Sequence, residues 1–265
     1  MMRFTYIRLF LQITLAAMAF PLEAEPPPQK GLAIFRESDR RDQGFGNFTA
    51  NVVMYLKNRQ GQITKRHLLA KTLEGINDGD KNLMIFNSPP DIKGTITLTH
   101  THKLSPDDQW IYLPALKRVK RISANNKSGA FMGSEFSYED LGSPEVEKYT
   151  YEYLRQEAYK KRNCYVVARY PKDPSSGYSK QVVWMDQREY IPLKIDYYDR
   201  GNHFLKTLKF GKYRRYLGRH WRAGKLHMIN HLTGKETVLI WKDFQFKTPL
   251  KENDFNPANL YRINP

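Results

Sequence analysis

Between residues 48 and 246 the chain alternates: short segments with apolar side chains at every second position are broken by turn residues. That period of two is the signature of an antiparallel sheet rather than of helices. Within residues 48–56, Phe48, Ala50, Val52, Met54 and Leu56 share one face, and residues 58–61 turn the chain into a second strand at 63–72. The same reading predicts strands at 81–88, 95–102, 109–113, 117–122, 148–158, 163–170, 180–186, 191–198, 203–213, 220–231 and 235–246. Pro89-Pro90, Pro106-Asp107-Asp108, residues 174–177, residues 199–202 and Thr233-Gly234 punctuate the gaps.

Helical periodicity is scarce. Residues 31–42 carry Leu32 and Phe35 at helical spacing with charges elsewhere, which predicts a short amphipathic helix. Ser137 and Asp140 have the spacing of a capping box over one turn. Residues 254–261 read as a final turn with Phe255 and Leu260 facing inward. The fold class is therefore mainly β, of α+β type, built on a large antiparallel sheet. A sheet of about ten or more strands is expected to curl or close rather than lie flat. Residues 110–113 and 182–185 are apolar at successive positions, so both faces of those strands need cover.

The ends and the charge narrow the setting. Arg3 and Arg8 precede an apolar stretch at 9–20, and small residues follow at Ala17, Ala19 and Ala24. This reads as an export signal spanning residues 1–24, cleaved near Ala24, with a single domain over 25–265 in the periplasm. With 43 Lys and Arg against 27 Asp and Glu, the chain carries +16 and attracts anionic surfaces. Export argues against nucleic acid and leaves lipid head groups or acidic protein faces. Cys164 is the only cysteine, so no intramolecular disulfide forms; beside Val166 and Val167 it is expected to be a small buried hydrophobe.

Motifs of catalysis are missing: no Gly-x-Ser-x-Gly elbow, His-Glu-x-x-His pair, phosphate loop or Cys-x-x-Cys. No cofactor or metal is expected and the protein is not read as an enzyme. His100 and His102 share a strand face, but no acidic or thiol ligand is paired with them. His227 and His231 stand ~13 Å apart along a strand, too far for one ion.

One stretch is unusual. Residues 109–113 run into the basic cluster Lys117-Arg118-Val119-Lys120-Arg121, and then into Gly129-Ala-Phe131-Met132-Gly133 and Phe136-Ser-Tyr138. Charge on a strand is a common guard for a sheet edge, while Arg also grips phosphate or carboxylate. Phe131 and Met132 between two glycines read either as a mobile flap over a cavity or as side chains tucked into the core.

This stretch, with its Phe131-Met-Gly-Ser-Glu-Phe-Ser-Tyr-Glu-Asp-Leu141 segment, closely resembles the outer-membrane lipoprotein-sorting family, the LolA-like periplasmic carriers, and the turns around it fit that family over most of the chain. The resemblance implies a strongly curved antiparallel sheet forming an incomplete barrel, with a few helices closing a hydrophobic cavity. It implies a carrier of lipid or lipoprotein acyl chains for outer-membrane sorting, with an inner-membrane exporter as a candidate partner. Trp110, Tyr112, Phe131, Met132, Phe136, Tyr138 and Trp184 are then the candidate lipid-binding residues. Lys117, Arg118, Lys120 and Arg121 are the candidates for head-group or partner docking. The alternatives are an accessory protein that docks on an exporter or acidic envelope protein and, with no acid–base pair to support it, an envelope hydrolase.

Overall fold

A computed structural model describes residues 26–123 and 126–263; the expected export signal lies outside the described residues. One helix, α1 (Pro27–Asp42), precedes β1 (Asn47–Lys57), β2 (Ile63–Leu73), β3 (Lys81–Ser88), β4 (Ile96–His100), β5 (Asp108–Leu113) and β6 (Arg118–Arg121). After a long connection come β7 (Tyr149–Tyr159), β8 (Arg162–Pro171), β9 (Tyr178–Asp186), β10 (Pro192–Asp199), β11 (Phe204–Tyr216), β12 (His220–Asn230) and β13 (Glu236–Phe246). Each strand matches an expected one. The helix starts earlier than its apolar spacing foretold, because Pro27 and Pro28 are tolerated in a first turn, where backbone N–H groups have no partner.

All of the strands form a single 13-stranded sheet in the order β6-β5-β4-β3-β2-β1-β13-β12-β11-β10-β9-β8-β7. Two meanders, β1 to β6 and β7 to β13, are thus stitched together by the antiparallel pair β1–β13, in which Val52 faces Trp241 and Met54 faces Leu239. The outer strands β6 and β7 remain as edges, so the sheet is open and does not curl into a barrel by strand pairing. This corrects the expected strong curvature. The helices are corrected too: among the described residues α1 is the one substantial helix, and a long loop does much of the covering.

That loop, residues 122–148, joins one edge of the sheet to the other and is called the strap here. Phe131 packs on Phe86 of β3, at 5.9 Å between ring centroids, and Arg66 of β2 donates to the Met132 carbonyl. Glu135 N–H donates to Thr237 of β13, Gln109 of β5 donates to the Tyr138 carbonyl, and Tyr178 of β9 donates to Asp140. The strap therefore bonds to both meanders. The expected capping box is present: Ser137 N–H donates to Asp140. Gly133 has φ of 74°, in the left-handed region where glycine alone is unstrained, and this lets the chain reverse after Met132.

The two faces of the sheet have separate cores. On the strap side, Val52, Met54, Leu68, Phe86, Val167, Val183, Met185, Ile195, Leu208, Met228 and Leu239 form a cluster with Ile34 and Phe35 of α1 and Phe131 and Phe136 of the strap. The helix comes so close to β7 that a Cβ on Gly31 would sit 3.1 Å from Tyr151 Cβ and the Tyr153 nitrogen. On the far side Leu83, Ile85, Ile96 and Leu98 are covered by Phe255 and Leu260, from the 3-10 turns Glu252–Phe255 and Pro257–Arg262. A third cluster holds Cys164, buried as expected, with Val166, Val182 and Trp184. The apolar residues 182–185 are thus buried on both faces, whereas 110–113 are half-buried.

The strap is fastened by a buried ion pair. Lys206 Nζ lies 2.8 Å from Asp140 Oδ2, with side chains only 5% and 6% exposed, and donates also to the Glu135 carbonyl. Removing one partner of a buried pair leaves the other charge uncompensated, at a cost of about 3–5 kcal/mol. Lys206→Met is therefore expected to lose about that much stability, measured by urea denaturation. A loss below about 1 kcal/mol, the scale of an exposed pair, would show that the strap is held by its apolar contacts instead.

Candidate functional site

A cavity of about 790 Å³ lies between α1, the second half of the strap and the face of β8 to β12. It falls within the range of small-molecule sites, roughly 300–1,000 Å³. Its apolar wall is built from Phe35, Phe136, Val183, Met185, Ile195, Leu208, Phe210 and Leu226. Phe35 comes from α1 and Phe136 from the strap, and the rest belong to the inward faces of β9 to β12, which period-two alternation delivers to one side. The rim is charged, with Arg40, Arg41, Arg215 and Arg219 together with Asp39, Asp78, Asp80 and Lys103.

Burial makes several acidic groups near the rim harder to ionise. Burial pushes the Glu145 carboxyl up to about 7, with repulsion from Asp80 and Asp39 adding to it. Burial also raises the Asp80, Asp39 and Glu139 carboxyls. Donors remain for some of them: Ser143 Oγ and Gly75 N–H for Asp80, and Ser176 Oγ and Gly177 N–H for Glu139. Asp107 is paired with Lys148.

The sequence-predicted residues are dispersed. Of the seven lipid-binding candidates, Phe136 lines this cavity. Phe131 is buried against Phe86 and Tyr138, with Met132 and Tyr138 half-buried beside the same core, an arrangement that tucks the loop inward. Trp110 and Tyr112 face the far side of the sheet, packed on the cluster under Phe255 and Leu260. Trp184 also points away from the cavity, with Lys194 Nζ 3.3 Å from its ring centre. The reason is register: Trp110 pairs with Leu98 and Tyr112 with Ile96, and strand alternation puts all four side chains opposite to the strap.

Lys117, Arg118, Lys120 and Arg121 are exposed on or beside β6, an edge of the sheet, and Arg121 pairs with Asp108. The histidines are engaged separately. His100 Nε2 meets the Phe255 carbonyl, His102 bonds Asp78, and His227 bonds Glu236. Among the described residues no group of three or more metal-binding side chains converges.

Sequence reasoning missed Arg169 and Gln181, which lie side by side on β8 and β9 and line the cavity. Both are buried, and Arg169 Nε donates to Gln181 Oε1 at 2.7 Å. A signal was available: on β8 the inward face reads Tyr165, Val167, Arg169, a lone charge extending an apolar stripe.

A solved structure from Vibrio parahaemolyticus, described as an outer membrane lipoprotein-sorting protein domain, is 51% identical, with a TM-score of 0.87 over 89% of this chain and 100% of its own. This chain belongs to the outer membrane lipoprotein-sorting family. A DUF1329 family protein from Desulfovibrio piger is 27% identical, with a TM-score of 0.84 over 89% of this chain and 100% of its own. The LolA superfamily protein NE2245 from Nitrosomonas europaea, at 20% identity and a TM-score of 0.69, shares the fold over 88% of this chain and 98% of its own. The model of a family described as "uncharacterized protein" matches residues 78–262. No curated protein matches the chain. Among the described residues no helix of this family member is long and apolar enough to cross a membrane.

The rim acids give this family member a pH signature. Glu145 binds its proton more tightly in the folded chain, near 7, than at its ordinary value of 4.5. Its contribution to stability is therefore fully present below about 4.5 and is lost as pH rises towards 7. Glu145→Gln, which cannot ionise, is expected to flatten the fall in unfolding free energy across that window, read from urea denaturation at several pH values. An unchanged slope would show that Glu145 is ionised without cost.

Proposed function

We propose that this protein is a periplasmic carrier that takes the acyl chains of a lipid or lipoprotein into the cavity beneath α1 and the strap, for sorting to the outer membrane. The observation that carries the reading is the cavity of about 790 Å³, whose apolar wall runs from Phe35 across Val183, Met185 and Ile195 to Leu208 and Leu226. Each methylene transferred from water to such a wall is worth ~0.8 kcal/mol, so one long chain supplies useful affinity without any chemistry. Membership in the lipoprotein-sorting family supports the same conclusion.

In this reading Phe136 touches cargo directly, while Phe131, Met132 and Tyr138 hold the strap in position above it. Trp184 supports the wall from behind, while Trp110 and Tyr112 belong to the core on the far side of the first meander. The exposed cluster Lys117, Arg118, Lys120 and Arg121 on the open edge serves as the docking patch for an anionic membrane or an exporter. A carrier of this kind works by binding and release and is not an enzyme.

Native mass spectrometry of protein purified from its own envelope is expected to show a bound mass that organic extraction removes and that is lipid in composition. A single peak at the mass of the bare chain under gentle conditions would contradict the carrier reading. Replacing Lys117, Arg118, Lys120 and Arg121 with Gln is expected to weaken sedimentation with phosphatidylglycerol vesicles at low salt. The difference should fade as the screening length falls to ~8 Å at physiological ionic strength. Equal vesicle binding by parent and variant at low salt would remove the docking role from this edge.

A further inference from the structure

Arg169 is the anomaly of the cavity. It is only 5% exposed, and among the described residues no carboxylate lies within ion-pairing distance of its guanidinium. Buried charges are ordinarily paired, because an isolated ion is expensive to remove from water. Here the Nε–H donates to Gln181, and the plane rests on the rings of Tyr149, at 4.5 Å, and Phe35, at 5.5 Å. The rings offset part of the cost through their negative faces. The terminal nitrogens make no hydrogen bond among the described residues, and the side chain lines the cavity.

The neighbours explain why this charge is free. Strand register sets Tyr151, Arg169, Gln181, Tyr197, Lys206 and Asn230 in one row across β7 to β12. At the β11–β12 end the strap satisfies the row, with Asp140 on Lys206 and Glu135 on Asn230. At the β8–β9 end the strap brings no acid to Arg169. Nearby acids are engaged elsewhere: Asp140 by Lys206 and Tyr178, Glu139 by Ser176 and Gly177, Asp107 by Lys148.

We propose that Arg169 receives the anionic group of the cargo, so that the cavity takes an amphiphile whose carboxylate or phosphate lies inside against the β8–β9 face with its chain along the apolar wall. This rests on the carrier reading and adds a head-group chemistry and an orientation to it. A guanidinium matches both groups through paired N–H···O bonds, and such charge-assisted bonds are strengthened where water is excluded. The anionic group of the cargo takes the place of the missing carboxylate, whereas an uncharged ester offers only a neutral carbonyl acceptor, which makes the weaker bond.

The test is a displacement titration of a fluorescent fatty acid probe from the delipidated protein, using laurate, methyl laurate, dodecyl phosphate and inorganic phosphate. Laurate and dodecyl phosphate are expected to bind roughly ten- to a hundredfold tighter than methyl laurate, the range of a hydrogen bond to a charged group. In Arg169→Gln that preference should collapse to within about twofold, with circular dichroism to confirm folding. Arg169→Lys, a second variant that keeps charge but loses the planar fork, should retain part of the preference. Equal affinity of the parent for laurate and methyl laurate overturns the proposal and leaves the carrier reading standing, whether or not the variants fold. A preference that survives in Arg169→Gln overturns it as well. Displacement by inorganic phosphate alone at the concentrations that suffice for dodecyl phosphate would make this a free-anion site and also overturn it. Failure of every amphiphile to bind would remove both the carrier reading and the anchor.

Discussion

The segment between Arg121 and Tyr149 has to travel from one edge of the sheet to the other, and the buried Lys206–Asp140 pair secures it on the way. Thirteen strands laid side by side would span ~58 Å at ~4.8 Å each. A connection of about 27 residues, reaching at most ~3.3–3.6 Å apiece, has ample length for the passage and can afford turns. It uses that slack for the 3-10 turns Phe131–Gly133, Tyr138–Leu141 and Val146–Lys148. A loop carried over apolar strands must satisfy its own backbone groups, and the bonds from Arg66, Gln109, Thr237 and Lys206 do so at intervals.

The cavity follows from this arrangement. α1 covers the β7 side of the face and the strap covers the centre, and neither fills the space above β9 to β11. Elsewhere the same face is packed solid by Phe86, Phe131 and Met54. The contrast between a dense core under the first half of the strap and a void under the second separates structure from binding. A void this large forfeits dispersion contacts along its lining, and the fold retains it alongside an unpaired Arg169. Both features are costly to the fold, and the amphiphile proposed above would relieve both.

Much of the fold was legible in the residues. Phe48 to Leu56 alternate so regularly that the strand and its approximate length follow together, and Phe255 and Leu260 announced an inward turn near the end. Ser137 and Asp140 announced a cap that is there. The site was less legible. Trp110, Tyr112 and Trp184 were conspicuous as large aromatics, yet an aromatic on a strand shows only that it is buried, not which face of the sheet buries it. Arg169 drew no notice because a single arginine in a 26% charged chain is ordinary until its surroundings are known.

The sequence alone determined the class of structure, the number and order of its strands, the helix, and family membership, because local periodicity and turn chemistry act over a few residues and survive without tertiary context. Tertiary structure alone decided which strands became edges, that β1 would meet β13, and where the strap would lie. These depend on pairings between residues nearly two hundred positions apart, such as Phe48 with Phe246, which no local pattern encodes. The same long-range pairing set Arg169 beside Gln181 and Tyr197, placing a charge where the strap brings no acid to meet it.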